Sequence, residues 1–122
     1  MRIAIVGSRN INDYDLVERT IVAHVGDLSG VTIVSGGARG VDTIARRIAK
    51  NHSLPLIEHL PDYKQYGKVA PLIRNTYIVS DADIVFAFSA KDRYGNLSRG
   101  TEDAVLKAMR MGKTVIITEP KG

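Results

Sequence analysis

Residues 32–42 read Thr-Ile-Val-Ser-Gly-Gly-Ala-Arg-Gly-Val-Asp, and this segment carries the clearest indication of the fold. It opens with a short β-branched run that is typical of a strand. Three glycines follow the run, and apolar residues then recur at helical spacing, at Val41, Ile44, Ala45 and Ile48. The stretch is therefore predicted to join a strand to a helix through a glycine-rich turn.

The rest of the chain repeats this alternation of strand and helix. Further strand-like runs are Ile3–Val6, Leu56–Glu58, Ile84–Phe88 and Thr114–Ile117. Further helices are predicted over about Tyr14–Val25, Ala70–Ser80 and Thr101–Met111, with Asp13 and Thr101 as N-terminal caps. Because strands that are apolar throughout indicate parallel pairing under helices on both faces, the pattern predicts an α/β, doubly wound sheet with right-handed crossovers.

Length and composition restrict the class of protein. A chain of 122 residues with 44% hydrophobic and 25% charged residues is typical of one globular domain, so we expect a single domain over 1–122. No apolar run is long enough to cross a bilayer, so no membrane partner is expected. Met1–Gly7 is too short and too soon polar for a signal peptide, which makes the cytoplasm the expected compartment.

Metal and thiol chemistry find no support in the sequence. The chain has no cysteine, which excludes disulfides, thiol catalysis and thiolate metal sites. The three histidines, His24, His52 and His59, lack metal-ligand spacing to one another. We therefore expect neither a metal nor a cofactor.

The loops that follow the strands are the expected location of a ligand. In an open α/β sheet the crevice lies beyond the carboxyl ends of the strands, where the strand order reverses. These loops and the helix starts beside them carry eight basic residues, Arg9, Arg39, Lys64, Lys68, Arg74, Lys91, Arg93 and Arg99. Five acidic residues accompany them, Asp42, Asp62, Asp92, Glu102 and Asp103. The positive balance predicts a phosphorylated ligand.

The segment Ser35–Asp42 is the candidate phosphate cradle. Glycines allow backbone N–H groups to approach a phosphate closely, and a helix N-terminus adds free donors. The alternative is that Gly36, Gly37 and Gly40 serve only a tight strand-to-helix turn. The segment matches neither the G-x-G-x-x-G fingerprint nor a P-loop, so NAD binding and ordinary ATP hydrolysis are not supported.

Four short motifs in order resemble the SLOG superfamily, and most of all its YspA-type (YpsA-related) proteins. They are Gly7-Ser8-Arg9, the eight residues 35–42, Tyr66-Gly67-Lys68 with Arg74-Asn75, and Gly100-Thr101. The resemblance runs from Ile3 to Ile117. It implies a Rossmann-like domain with a five-stranded parallel sheet in the order 3-2-1-4-5 that binds nucleotides or nucleotide-derived molecules.

This leading interpretation assigns the candidate ligand-binding residues to walls of one crevice. The first wall is Gly7, Ser8 and Arg9; the cradle is Ser35, Gly36, Gly37, Ala38, Arg39 and Gly40; the second wall is Lys68, Arg74 and Asn75. Asp42 would brace the cradle or touch a ribose hydroxyl. Gly100 and Thr101 would present a second helix N-terminus to the ligand.

Two alternatives follow from more distant resemblances. Residues 35–42 are similar to the pattern of DprA, which implies single-stranded DNA binding, although a charge of +4 is low for that role. Arg74 and Gly100-Thr101 are similar to LOG-type phosphoribohydrolases, which implies cleavage of nucleoside monophosphates with Arg74, Glu102 and Asp103 as catalytic residues. Ala104 stands where that family has the second of two glutamates, and alanine cannot transfer a proton.

The resemblance also suggests assembly, because related domains often form homodimers. The predicted fourth helix carries Val105, Leu106, Met109 and Met111, which are compatible with a self-complementary interface.

Overall fold

Strands and helices alternate along the chain as the sequence predicts. The computed structural model describes residues 1–37 and 40–120. The strands are β1 (Arg2–Gly7), β2 (Thr32–Ser35), β3 (Leu56–Glu58), β4 (Ile84–Phe88) and β5 (Thr114–Thr118). The helices are α1 (Tyr14–Val25), α2 (Val41–Asn51), α3 (Tyr63–Tyr66), α4 (Ala70–Asp81) and α5 (Arg99–Arg110), with a 3₁₀ turn at Gly67–Val69.

The five strands form one parallel sheet in the order β3-β2-β1-β4-β5, which confirms the predicted topology. β1 is central, since Ile3 pairs with Ile33 on one side and with Ile84 on the other. The strand order reverses between β1 and β4. At that point Gly7 is in register with Phe88, and the Ser8 amide donates to the Phe88 carbonyl at 3.0 Å.

Alternate residues of the central strands enter two different cores. On one face Ile3, Ile5, Phe86 and Phe88 pack against buried residues of α1 and α2. On the other face Ala4, Val6, Val85 and Ala87 pack against buried residues of α4 and α5. Helices therefore cover both faces, as expected for a doubly wound sheet, and each fully buried large side chain contributes about 1.5–3 kcal/mol.

The start of α5 corrects the predicted cap. Helix α5 begins at Arg99 with Ser98 as its N-cap residue, whereas the sequence predicts Thr101 in that role. The Glu102 amide already donates to the Ser98 carbonyl at 2.8 Å, so Thr101 lies inside the first turn. Its side chain is buried, and its hydroxyl pairs with that of Ser98 at 2.7 Å.

The segment before α4 contains the short helix α3, which is not predicted from the sequence. Asp62 caps α3 by accepting a hydrogen bond from the Gln65 amide at 3.0 Å, and the 3₁₀ turn then leads into α4.

Across residues 1–37 and 40–120, no helix is both long enough and apolar enough to cross a membrane.

Candidate functional site

A cavity of about 680 Å³ opens beyond the carboxyl end of β1, where the strand order reverses. Nine of the candidate ligand-binding residues line it: Gly7, Ser8, Arg9, Asp42, Lys68, Arg74, Asn75, Gly100 and Thr101. Residues far apart in the chain meet here because the carboxyl ends of parallel strands share one edge of the sheet. We call this space the basic cavity.

The charge of the basic cavity is positive. Among the described residues, its charged lining consists of Arg9, Lys68, Arg74 and Arg99 together with one acid, Asp42. Lys68 and Arg9 are exposed at the mouth, whereas Arg74 is half-buried. A concave site with an excess of one sign of charge concentrates ligands of the opposite sign.

Arg74 is fixed in place by backbone oxygens. One terminal nitrogen, Nη1, donates to the Gly36 carbonyl at 2.7 Å and to the His59 carbonyl at 3.5 Å, and Nε donates to the Pro71 carbonyl at 3.4 Å. Burial lowers the pKa of the guanidinium and nearby Arg9 lowers it further, while the Asp42 carboxylate opposes both. An arginine stays protonated in proteins, so Arg74 presents a permanent, pre-positioned cation.

The loop after β2 packs behind Arg74. Buried Ser35 donates from its hydroxyl to Asp42 Oδ1 at 3.1 Å, so Asp42 contacts the loop that it is predicted to brace. A Cβ on Gly36 would lie 2.8 Å from the Arg74 guanidinium carbon. Gly37 has a φ of +70°, and a Cβ there would lie 2.5 Å from Leu60 Cδ2. A side chain at Gly36 would thus displace the anchored Arg74 guanidinium, and one at Gly37 would be strained by the positive φ.

The predicted cradle is only partly assembled around the cavity. Ser35, Gly36, Gly37 and Gly40 are not among the described residues that line the basic cavity. Ala38 and Arg39 lie outside the described residues. The cradle and its contact with a phosphate stay a prediction from the sequence.

The two candidate catalytic carboxylates face a different space from Arg74. Glu102 and Asp103 line a second cavity of about 1070 Å³ and are absent from the described lining of the basic cavity. Asp103 accepts hydrogen bonds from Asn75 Nδ2 at 3.1 Å and from Lys107 Nζ at 2.9 Å. The structure therefore does not bring Arg74 together with either carboxylate in one cavity.

Asn75 joins α4 to the start of α5. Asn75 is buried, and its amide nitrogen also donates to the Gly100 carbonyl at 3.2 Å. These contacts set the N-terminus of α5 against the basic cavity, where free backbone N–H groups favour an anion.

Sequence reasoning missed part of the wall between the two cavities. Ser8, Leu72, Ser98 and Arg99 line both spaces, and Leu72 and Ser98 were not among the predicted site residues. Ser98 carried a signal, since serine is a favoured N-cap residue. No feature of the sequence distinguishes Leu72 from an ordinary leucine of the hydrophobic core.

Comparisons with protein families and curated proteins identify relatives of this chain. Residues 1–66 match the model of the YspA, cpYpsA-related SLOG family. The Gene 61 protein of Mycobacterium phage D29 is 33% identical over 93 residues, which cover 71% of this chain and 70% of that protein.

Solved structures share the fold at lower identity. DNA processing protein A (DprA) from Streptococcus pneumoniae has a TM-score of 0.77 at 23% identity, over 99% of this chain and 50% of that chain. DprA from Helicobacter pylori has a TM-score of 0.72 at 22% identity, over 100% of this chain and 66% of that one. TM1055, a structural genomics target, has a TM-score of 0.64 at 19% identity, over 93% of this chain and 71% of that chain.

This chain spans half of the length of the first DprA and about two thirds of the second. The structural likenesses show the fold, whereas the family match and the phage relative concern the sequence itself. The chain belongs to the YspA, cpYpsA-related SLOG family.

Proposed function

We propose that the chain binds a nucleotide, or a small molecule derived from one, with its phosphate in the basic cavity. The observation that carries this proposal is that Arg9, Lys68 and Arg74 line one cavity with the first turn of α5. Phosphate is the group that both features recognise, since arginine pairs with its oxygens and a helix N-terminus offers backbone donors.

Each part of the cavity has a distinct role in this proposal. Arg74 is anchored and supplies a rigid cation, whereas exposed Lys68 and Arg9 attract the phosphate at the mouth. An added Cβ on Gly100 would meet nothing within 4 Å, so the space in front of the first turn of α5 is open. A phosphate oxygen has room to approach the backbone there.

Thermal unfolding of the intact protein tests the proposal. Nucleoside 5′-monophosphates are expected to raise the midpoint of unfolding, because a ligand that binds only the folded state stabilises it. The matching nucleosides, which lack the phosphate, serve as the control and should raise it far less. Equal effects of nucleotides and nucleosides, or no effect of either, would contradict a phosphate site.

Single-stranded DNA is the second candidate ligand. The observation that favours it is the fold shared with DprA from Helicobacter pylori, a protein that binds single-stranded DNA. The charge around the site argues against it, because the described lining of the adjoining cavity carries four carboxylates against the two cations Lys91 and Arg99, and this excess of negative charge would repel the next phosphate of a strand. Fluorescence anisotropy at physiological salt should give a Kd of about 10⁻⁴ to 10⁻⁶ M, and nanomolar binding would favour DNA over a nucleotide.

Three broader expectations accompany the proposal. We infer that residues 1–122 form one domain, because strands from both halves of the chain join one sheet. Homodimer formation through α5 stays a prediction; Leu106, Met109 and Met111 are exposed there, whereas Val105 is buried. A cytoplasmic location also stays a prediction.

A further inference from the structure

The second cavity, of about 1070 Å³, adjoins the basic cavity across a shared wall of Ser8, Leu72, Ser98 and Arg99. Its lining differs in character from that of the basic cavity. Ile11, Leu97 and Leu106 supply apolar surface, and Asp13, Asp92, Glu102 and Asp103 supply carboxylates beside the cations Lys91 and Arg99. We call this space the acidic cavity.

Three of the four carboxylates already have partners within the protein. Asp13 caps α1 by accepting from the Leu16 amide at 3.1 Å. Asp92 accepts from the backbone amides of Tyr94 and Asn96 at 2.8 and 2.9 Å. Asp103 accepts from Asn75 and Lys107. These contacts stabilise the wall of the acidic cavity, and they occupy the three carboxylates with partners inside the protein.

Glu102 is different. Among residues 1–37 and 40–120, its carboxylate has no hydrogen-bond or ion-pair partner, and the side chain is exposed. Its backbone amide donates to the Ser98 carbonyl at 2.8 Å, which places Glu102 one helical turn from the shared wall. A ligand that crosses this wall from the basic cavity would therefore meet a carboxylate available for hydrogen bonding.

We propose that the acidic cavity holds the base of a guanine nucleotide, with the Glu102 carboxylate accepting hydrogen bonds from the edge of that base. This inference rests on the proposed function, which places the phosphate in the basic cavity. The apolar side chains of the cavity cover the faces of the base, and Glu102 reads its edge.

The chemistry of the bases selects guanine. An ionised carboxylate is an acceptor only, with two oxygens that can receive two parallel N–H bonds. Guanine presents N1–H and the N2 amino group side by side on one edge. Hypoxanthine lacks the N2 amino group, and the Watson–Crick edge of adenine places an acceptor, N1, beside its amino group. Only guanine among these purines satisfies both carboxylate oxygens with neighbouring donors.

Calorimetric titration of the full chain with GMP, IMP and AMP tests this assignment. A bidentate pair discriminates between bases by about tenfold or more, so GMP should bind about tenfold more tightly than AMP, with IMP between them. In Glu102→Gln one acceptor oxygen becomes a donor, and the ratio of the GMP and AMP affinities should fall to about twofold or less. AMP affinity should not fall in this variant, because the glutamine carboxamide offers one donor and one acceptor, which match N1 and the amino group of adenine.

The control variant is Asp15→Asn, which removes one exposed carboxylate from α1 outside both cavities and should keep the tenfold ratio. Equal binding of GMP and AMP by the natural chain would overturn the guanine assignment and leave the phosphate site in place. A preference for GMP that persists in Glu102→Gln would overturn the role of Glu102. If none of the three nucleotides binds, both this inference and the proposed function are wrong.

Discussion

Arg74 on α4 donates a hydrogen bond to the Gly36 carbonyl oxygen at 2.7 Å, so the helix that carries the central cation of the site also holds the loop after β2. The two residues are 38 positions apart in the chain. Because the guanidinium holds the loop by this hydrogen bond, a change at Arg74 alters both the stability of the folded state and the charge available to a ligand.

Replacement of Arg74 by lysine should therefore reduce stability and nucleotide binding together. An ammonium group cannot reproduce the planar fork that contacts Gly36, His59 and Pro71, although it keeps the positive charge. We expect the free energy of unfolding in urea to fall by about 1–3 kcal/mol, the range for losing hydrogen bonds to a charged group.

Arg110→Lys is the matched control, since Arg110 is exposed at the end of α5 and lines neither cavity. It should match the natural chain in both urea unfolding and nucleotide affinity. An Arg74→Lys variant of unchanged stability would show that the backbone contacts of Arg74 contribute little.

The sequence predicts the sheet and most helix limits because local chemistry determines them. Helix α1 runs over Tyr14–Val25 as predicted, with Asp13 capping its start and Gly26 after its end. The start of α5 is harder to predict, because Ser98 and Thr101 are both suitable caps and the preceding loop decides between them. Helix α3 is four residues long and too short to show a periodic pattern.

The sequence predicts which loops form the site, but it does not predict that these loops enclose two separate cavities. Parallel topology alone brings Ser8, Arg74 and Gly100 to one edge of the sheet. The direction in which the first turn of α5 faces decides that Glu102 and Asp103 enter a separate space from Arg74. That direction depends on tertiary contacts such as the one between Asn75 and Gly100, which no spacing in the sequence reveals.

The contact between Gly37 and Leu60 gives a prediction about stability. Gly37→Ala should lower the free energy of unfolding by about 1 kcal/mol or more, chiefly because alanine is strained at a φ of +70°. The new Cβ would also displace Leu60 Cδ2, which adds a smaller steric part because the Leu60 side chain is exposed and can move. In the double variant with Leu60→Ala the steric part of this loss should disappear, and the backbone part should remain. Urea unfolding of the two single variants and the double variant separates these contributions, and strictly additive losses would show that the two side chains do not collide.

Lys68 should contribute to ligand affinity through its charge alone. It is exposed at the mouth of the basic cavity, so Lys68→Ala should weaken binding of a nucleoside monophosphate by a few-fold without loss of stability. The effect should shrink as salt is raised, since exposed charges are screened within about 10 Å at 0.1 M ionic strength. Lys50→Ala, at the exposed end of α2, removes the same charge elsewhere, and an equal effect of both variants on affinity would mean that only the net charge matters.

A polar cluster between α1 and α2 should make stability depend on pH. Hydrogen bonds from His52 and from the Tyr14 hydroxyl, each at 2.8 Å, hold the pKa of the Glu18 carboxyl below its usual value. The stability that Glu18 contributes is therefore present above the pKa of an unfolded glutamate and is lost as the pH falls through the lower folded value. The advantage of the natural chain over Glu18→Gln should be present at neutral pH and should vanish in strong acid, as measured by urea unfolding at each pH; an advantage that grows on acidification would contradict the assignment.

The last prediction separates binding from catalysis. Release of a free base from a nucleotide needs a carboxylate close to the sugar, to stabilise positive charge at the anomeric carbon and help the base leave. The predicted catalytic residues Glu102 and Asp103 both line the acidic cavity, and Asp103 is already bound to Asn75 and Lys107. Asp42 does share the basic cavity with Arg74, but its carboxylate accepts a hydrogen bond from the Ser35 hydroxyl and holds the loop after β2. We therefore expect little or no free base when AMP, GMP, CMP and UMP are incubated with protein in excess and analysed by chromatography. Any residual activity should fall by about 10²-fold or more in the Glu102→Gln, Asp103→Asn double variant, the scale for losing a positioned acid or base. Asp15→Asn again supplies the control for loss of an exposed carboxylate. Rapid turnover by the natural chain that disappears in the double variant alone would show that the protein is a phosphoribohydrolase and that binding is only its first step.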